Sequence, residues 1–231
     1  MIGLKEIKDS FVHLLFPHVC SGCGSDLLSD ESVLCMHCLA DMPATDFEKH
    51  ANNPVEKIFH GRLKLENAMA QYYFTKESLI QCLMHQFKYR GNKELGLQLG
   101  RMMGLSMKQS GRFEVDALIP LPLFPAKEKK RGYNQAAVLC DGMKESMNVP
   151  VLYNVITRPQ HTETQTKKGR IERWKNIEGK FQLNDPDSIR NKHVLLVDDV
   201  VTTGATLEAC GSELLSANTR LSVATLCIAS R

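Results

Sequence analysis

His193 to Thr206 reads H-V-L-L-V-D-D-V-V-T-T-G-A-T. Val194-Leu195-Leu196-Val197 is an apolar, β-branched run of the length of a buried strand. Asp198 and Asp199 follow at once. Two more β-branched residues lead into Thr202-Thr203-Gly204-Ala205-Thr206, and Leu207 to Ala217 continues with helical amphipathicity. The order is therefore strand, acidic pair, hydroxyl-rich turn, helix. In an open parallel sheet, ligands bind beyond the carboxyl ends of the strands. A Thr/Gly turn opening a helix offers free N–H groups and hydroxyls to an anion, aided by the helix dipole. Two carboxylates repel phosphate but hold hydroxyls or Mg²⁺. Together these features ask for a ligand with both phosphate and vicinal hydroxyls, such as a ribose phosphate. No G-x-x-x-x-G-K-[ST] occurs in the chain, which excludes an ordinary P-loop.

The rest of the composition suits one full core with a small appendage: 231 residues, 43% hydrophobic and 24% charged. A net charge of +3 tolerates polyanionic ligands without demanding nucleic acid. No apolar run approaches a membrane span, so no membrane insertion is expected. Met1 to Ser10 mixes Lys5, Glu6, Lys8 and Asp9, unlike a signal peptide, and a cytoplasmic location is expected. The eight cysteines then read as metal ligands and core thiols rather than disulfides.

Cys20-x-x-Cys23 and Cys35-x-x-Cys38 are separated by eleven residues. Two such knuckles predict a closed tetrahedral Zn²⁺ site, structural rather than catalytic. His37 reads as a bystander, because four thiolates are already available. The polar stretch Asp41 to Asn53 reads as a linker, dividing the chain into a ribbon (1–45) and a main domain (46–231). Within the main domain, Glu66 to Thr75 reads as a strand. Ser78 to Phe87 reads as a helix with Cys82 in its core face. A second helix follows, opening at Asn92 or Lys93. Val115 to Ile119 forms a strand entering the proline-stiffened Leu121-Pro122 loop. The basic run Lys127 to Arg131 follows as a candidate pyrophosphate clamp, Arg131 foremost. A helix opening at Gly132 to Gln135 comes next, then a strand over Pro150 to Thr157. Arg158 to Gly179 lacks apolar periodicity and is rich in Thr, Gln, Lys and Arg. It reads as a basic lid, its far end docked by Trp174, Ile177 and Phe181. Leu221 to Ala229 is the last strand. Cys140, Cys210 and Cys227 read as core.

L-L-V-D-D-V-V-T-T-G-A-T resembles the 5-phosphoribosyl-1-pyrophosphate (PRPP) motif of type I phosphoribosyltransferases. The resemblance implies that Asp198 and Asp199 hold the ribose hydroxyls, and that Thr202, Thr203, Gly204, Ala205 and Thr206 wrap the 5-phosphate. The wider order resembles the ComF family across nearly the whole chain: the double knuckle, N-N-P-V, K-Y-R-G, P-L-P-L, R-G-Y-N-Q-A, R-x-x-x-T-x-T-Q, and E-R-x-x-N-I-x-G-K-F. Phe124 stands where that family commonly has His, and lysines precede Arg131 where arginines are common. The implied fold is α/β: an open, mostly parallel, Rossmann-like sheet with helices on both faces, plus an N-terminal zinc ribbon with four cysteine ligands. The implied activity is phosphoribosyl transfer from PRPP with Mg²⁺. Backbone amides of the Leu121-Pro122 loop and the Arg131 side chain would hold the leaving pyrophosphate; Arg158, Gln165 and Arg173 are lid candidates by position alone. A second reading keeps PRPP binding without catalysis. It makes the chain an adaptor for single-stranded DNA, for a competence helicase or for another DNA-processing protein. The ribbon's acidic dressing (Asp26, Asp30, Glu31, Asp41) disfavours direct phosphate contact there.

Overall fold

The computed structural model describes residues 19–26, 32–159 and 181–229. The elements run α1 (Met36–Ala40), a 3₁₀ turn (Phe47–Lys49), α2 (Pro54–Phe59), β1 (Ala68–Phe74), α3 (Leu79–Tyr89), α4 (Lys93–Ser110), β2 (Ala117–Pro120), α5 (Pro125–Arg131), α6 (Gln135–Met147), β3 (Ile156–Thr157), β4 (Gln182–Leu183), β5 (His193–Val201), α7 (Ala205–Leu215) and β6 (Arg220–Ala229). Four strands form a sheet in the order β1-β6-β5-β2, every pair parallel. Val194 to Val197 are fully buried and Leu221 to Cys227 nearly so, as expected of strands covered on both faces. The sheet's edges are extended by a parallel bridge from Val151 to Leu118 and an antiparallel bridge from Ala44 to Tyr72. Helix α4 packs on α6, which lies over β2 and β5, while α7 covers β5 and β6. This is the open α/β architecture the strand pattern implies, and it sets Asp198 and Asp199 at the carboxyl end of β5.

Several local expectations are revised. The stretch over 41–53 is anchored rather than free. Thr45 N–H donates to Gln71 O at 3.1 Å, and Tyr73 N–H donates to Pro43 O at 2.9 Å. Asn53 is buried; its Nδ2 donates to Phe47 O, His50 O and Ala68 O, and its Oδ1 caps α2 at Val55 and Glu56. Asn-Pro here is an N-cap followed by proline at the first helical turn, a helix start that reads like a loop signal. Likewise Lys127 to Arg131 lies in a helix, α5, begun by Pro125 and ended by Gly132 at φ 82°. Pro150 to Thr157 is no continuous strand. Only Val151 joins the sheet edge, and Ile156–Thr157 pairs antiparallel with Gln182–Leu183. Cys82 is exposed, because the buried stripe of α3 is Ile80, Leu83, Met84 and Phe87. Cys140, Cys210 and Cys227 are buried as expected.

The Cys-rich segment sits on α3 and α4. Gln86 Nε2 donates to Ser21 O at 2.6 Å, and Asn92 Nδ2 to Ser21 Oγ at 3.1 Å. Val33 N–H donates to Gln98 Oε1 at 2.9 Å. Among the described residues, no helix is long and apolar enough to cross a membrane.

Candidate functional site

The acidic pair is asymmetric. Asp199 is nearly buried, at 9% exposure. Its Oδ2 lies 3.0 Å from Lys88 Nζ and 3.9 Å from Arg131 Nη1. Among the described residues Asp198 has no such ion pair; its Oδ1 accepts the Asp199 N–H at 2.7 Å. Burial first, and the neighbouring Asp199 second, push the Asp198 carboxyl up to about 8, against the opposing pull of Lys88 and Arg131. One carboxylate is thus neutralised by fixed cations, while the other favours a proton or an arriving cation.

Beyond the pair, Val201 is buried and Thr202, Thr203, Ala205 and Thr206 are exposed. Gly204 is the N-cap of α7 at φ 74° and has no side chain to cap it; among the described residues the Ala205 N–H reaches Thr203 Oγ1 only at 3.5 Å. A Cβ at Gly204 would lie 2.7 Å from Ile58 Cγ2 and 2.8 Å from Phe59 Cε1, so the turn requires glycine for both backbone and space. The uncapped first turn leaves donors for an anion. A cleft of about 60 Å³ lies along Asp198 and Thr202 to Thr206. Arg62 braces the loop from behind: Nη1 donates to Thr203 O at 2.9 Å and to Ile58 O at 3.1 Å, and Nη2 pairs with Glu208.

Arg131 turns inward. It donates to Gln135 Oε1 at 2.6 Å and lies over the Tyr89 ring at 5.9 Å. Lys127, Lys129 and Lys130 face solvent on the same helix. Leu121 and Pro122 sit beside β5, but neither offers a free amide. Leu121 N–H is committed to Val197 O at 2.8 Å, and proline has none. Asn134 Nδ2 donates to Leu121 O at 3.0 Å and its Oδ1 caps α6, tying this turn to the helix start. Arg158 stands at the edge of the site with its guanidinium 3.6 Å above the Phe124 ring and 5.0 Å from that of Phe181. Burial lowers its pKa, and Asp198 pulls the other way. Phe181 is buried, as expected of a dock. Gln165, Arg173, Trp174 and Ile177 lie outside the described residues.

Two site residues escaped the sequence reading. Lys88 was visible only as part of K-Y-R-G, with nothing local to say that the last turn of α3 reaches Asp199. Arg62, in an unpatterned stretch, carried no signal at all.

The four knuckle cysteines converge, their sulfurs all within 4.8 Å of one another. Cys23 and Cys35 sulfurs are 3.6 Å apart, close to the roughly 3.8 Å edge of a tetrahedron built with ~2.3 Å Zn–S bonds. N–H groups of Gly22 and Cys35 point at Cys20 Sγ, at 3.4 and 3.3 Å. Burial opposes ionisation of Cys20, but backbone donors from Cys35, Cys23 and Gly22 outweigh it and bring the thiol down to about 6. The donor set fits a metal preferring thiolate. His37 is exposed and pairs with Asp41 at 3.1 Å, outside the cluster.

Comparison with known proteins agrees with this geometry. A family model for the phosphoribosyl transferase domain matches residues 130–231, which hold Arg131, the acidic pair and the α7 start. Over 203 residues the chain is 28% identical to competence protein F of Haemophilus influenzae, spanning 85% of this chain and 83% of that protein. It is 27% identical over 201 residues to DNA utilization protein YhgH of Escherichia coli O157:H7, spanning 85% and 84%. Among solved structures, the glutamine PRPP amidotransferase of Bacillus subtilis matches with a TM-score of 0.44 and 15% identity, over 62% of this chain and 30% of that one. The resemblance to competence protein F and YhgH runs along most of the chain, as expected of the ComF family, and residues 130–231 match the phosphoribosyl transferase domain.

Proposed function

We propose that this chain binds PRPP with Mg²⁺ at Asp198 to Thr206 and transfers the phosphoribosyl group to a nitrogen acceptor. The setting would be DNA uptake or nucleotide metabolism, in keeping with the names of its relatives. The observation that carries the reading is the acidic pair at the end of β5, flanked by an uncapped helix start on one side and by Lys88 and Arg131 on the other. The 5-phosphate lies on the Thr202 to Thr206 turn, the ribose hydroxyls on Asp198 and Asp199, and the pyrophosphate toward Arg131 and Lys88. In the reaction the ribose C1–O bond to pyrophosphate breaks and a C1–N bond forms. Pyrophosphate leaves, and the acceptor nitrogen loses a proton. Bound Mg²⁺ supplies charge neutralisation for the pyrophosphate. Fixed cations beside it stabilise developing negative charge by about 3 kcal/mol per well-placed donor. Arg158, Gln165 and Arg173 are proposed to close over the substrate. Zn²⁺ on Cys20, Cys23, Cys35 and Cys38 is structural, in a ribbon over 1–45 preceding the main domain.

A second reading is favoured by the solvent-facing Lys127, Lys129 and Lys130, which are free to meet a polyanion such as single-stranded DNA. There the ribose-phosphate site is a sensor and the chain an adaptor for DNA or for a DNA-processing protein such as a helicase. Pyrophosphate release from PRPP and Mg²⁺, screened across nucleobases and amines, separates the two. Release that requires one acceptor and is lost in Asp198→Asn/Asp199→Asn supports transfer. Tight PRPP binding with no release under any acceptor supports the sensor, and absence of PRPP binding removes both.

A further inference from the structure

Residues 58–63 run along one face of α7. A Cβ at Gly204 would meet Ile58 and Phe59, and one at Gly211 would lie 2.8 Å from Leu63 Cδ2. Arg62 stands between these two contacts and pairs with Glu208. Positions 204, 208 and 211 fall at i, i+4 and i+7, so they share one face of the helix. The main chain of this segment is itself fixed, because Arg62 N–H and Leu63 N–H both donate to Phe59 O, at 2.9 and 3.0 Å. Phe59 is buried. The segment is thus a rail beside the start of α7, and Arg62 is its cation.

Arg62 spends its guanidinium on two features of the anion turn. Nη1 donates to Thr203 O at 2.9 Å and to Ile58 O at 3.1 Å. The peptide that follows Thr203 is planar and trans, so holding its oxygen on one side turns the Gly204 N–H to the other. Nη2 pairs with Glu208, the acidic residue in the first turn of α7. A carboxylate there suits the helix dipole, but it competes with a phosphate for the same positive end. Arg62 cancels that competitor. The cleft is lined by Asp198 and by residues 200–207, with Arg62 outside that lining. The Arg62 and Glu208 side chains are 38% and 31% exposed, so solvent and salt screen the pair.

We propose that Arg62 is a positioning residue of the ribose-phosphate site, acting from behind the Thr202 to Thr206 turn. It orients the peptide between Thr203 and Gly204 and neutralises Glu208, so that a sugar phosphate meets the start of α7 without a rival anion. The inference rests on the phosphoribosyl reading of this turn. It adds a residue distant from the motif that sets affinity for the 5-phosphate half of the ligand, while Lys88 and Arg131 serve the pyrophosphate half.

Calorimetric titration of the full-length, zinc-loaded protein with ribose 5-phosphate, and separately with Mg²⁺ and pyrophosphate, tests it. Arg62→Met should weaken ribose 5-phosphate binding about tenfold and leave pyrophosphate binding as in the parent. Glu208→Gln should bind ribose 5-phosphate at least as tightly as the parent. Arg62→Met/Glu208→Gln should recover part of the loss, and the recovered part should shrink at high salt. Amide exchange over 202–206 should be faster in ligand-free Arg62→Met than in the parent, a readout that needs no ligand. Arg190→Met, at an exposed ion pair with Asp187, should match the parent throughout. Should Arg62→Met fail to fold, Arg62→Lys decides: it keeps a charge for Glu208 but loses the forked hydrogen bonds, and should weaken ribose 5-phosphate severalfold. A parent that binds neither ribose 5-phosphate nor PRPP would end the phosphoribosyl reading and this inference with it. In a parent that binds, the role of Arg62 alone would be overturned by unchanged affinity in Arg62→Met, by equal weakening toward both ligands, by no recovery in the double variant, or by equal weakening in Arg190→Met.

Discussion

Asp198 and Asp199 are neighbours in sequence but differ in electrostatic surroundings, and their substitutions should differ accordingly. Asp198 holds a proton in the folded chain up to about pH 8, whereas an unfolded aspartate ionises near 3.8. Between those values the native state binds the extra proton, so stability falls as pH rises through that window. Urea midpoints of the ligand-free protein should drop from pH 5 to pH 8, and Asp198→Asn should flatten the drop. A profile as steep in the variant as in the parent would remove Asp198 as its source. PRPP and Mg²⁺ bound at neutral pH should also release this proton, visible as a buffer-dependent binding enthalpy. Lys88 is the converse case. Its ammonium neutralises Asp199 while both are mostly buried. Lys88→Met would leave that carboxylate largely dependent on Arg131 and should cost about 1–3 kcal/mol of stability. It should also weaken PRPP binding more than tenfold, which ligand-dependent melting would show.

At the scale of elements, the turn into α7 is the most constrained feature of the site. Gly204→Ala sets a Cβ into Ile58 and Phe59 at a positive φ. It should destabilise by about 1–3 kcal/mol and abolish the rise in melting temperature expected of the parent with PRPP and Mg²⁺. A full rise in the variant would show that the turn is not the anion cradle. This turn was legible in the sequence because strand, acids, Thr/Gly turn and helix are contiguous. So were β1, β2, β6 and the helices with regular apolar stripes. What stayed hidden depended on three-dimensional context. Asn53-Pro54 is loop chemistry in sequence and a buried helix cap in space. Pro125 to Arg131 has no buried face, so no periodicity announces α5. Val151 touches the sheet at a single bridge, too little for a pattern. The cationic half of the site was half legible: Arg131 abuts its glycine in a readable motif, whereas Lys88 meets Asp199 from far away in the chain.

On the scale of the molecule, the four-cysteine segment and the acidic site share one support. Ser21, within the first knuckle, is held by Gln86 and Asn92, and Val33 by Gln98. Gln86 precedes Lys88 by two residues on α3, and Lys88 is the closer cation on Asp199. A metal that organises Cys20, Cys23, Cys35 and Cys38 therefore also fixes the surface against which the last turn of α3 is seated. So small a segment has little core of its own, and much of its order should come from metal binding. One zinc per chain is expected by elemental analysis, lost in Cys20→Ser. Removing it with a strong chelator should lower the melting temperature. It should also weaken PRPP binding severalfold, although none of the four cysteines lines the cleft at Asp198 to Thr206, and restored zinc should recover both. The coupling is specific in what it predicts. Gln86→Ala, which keeps every thiolate, should reproduce part of the loss in PRPP affinity at full zinc occupancy. Unchanged PRPP affinity in the zinc-free protein would instead make the ribbon an energetically separate unit, its contacts on α3 and α4 mere packing.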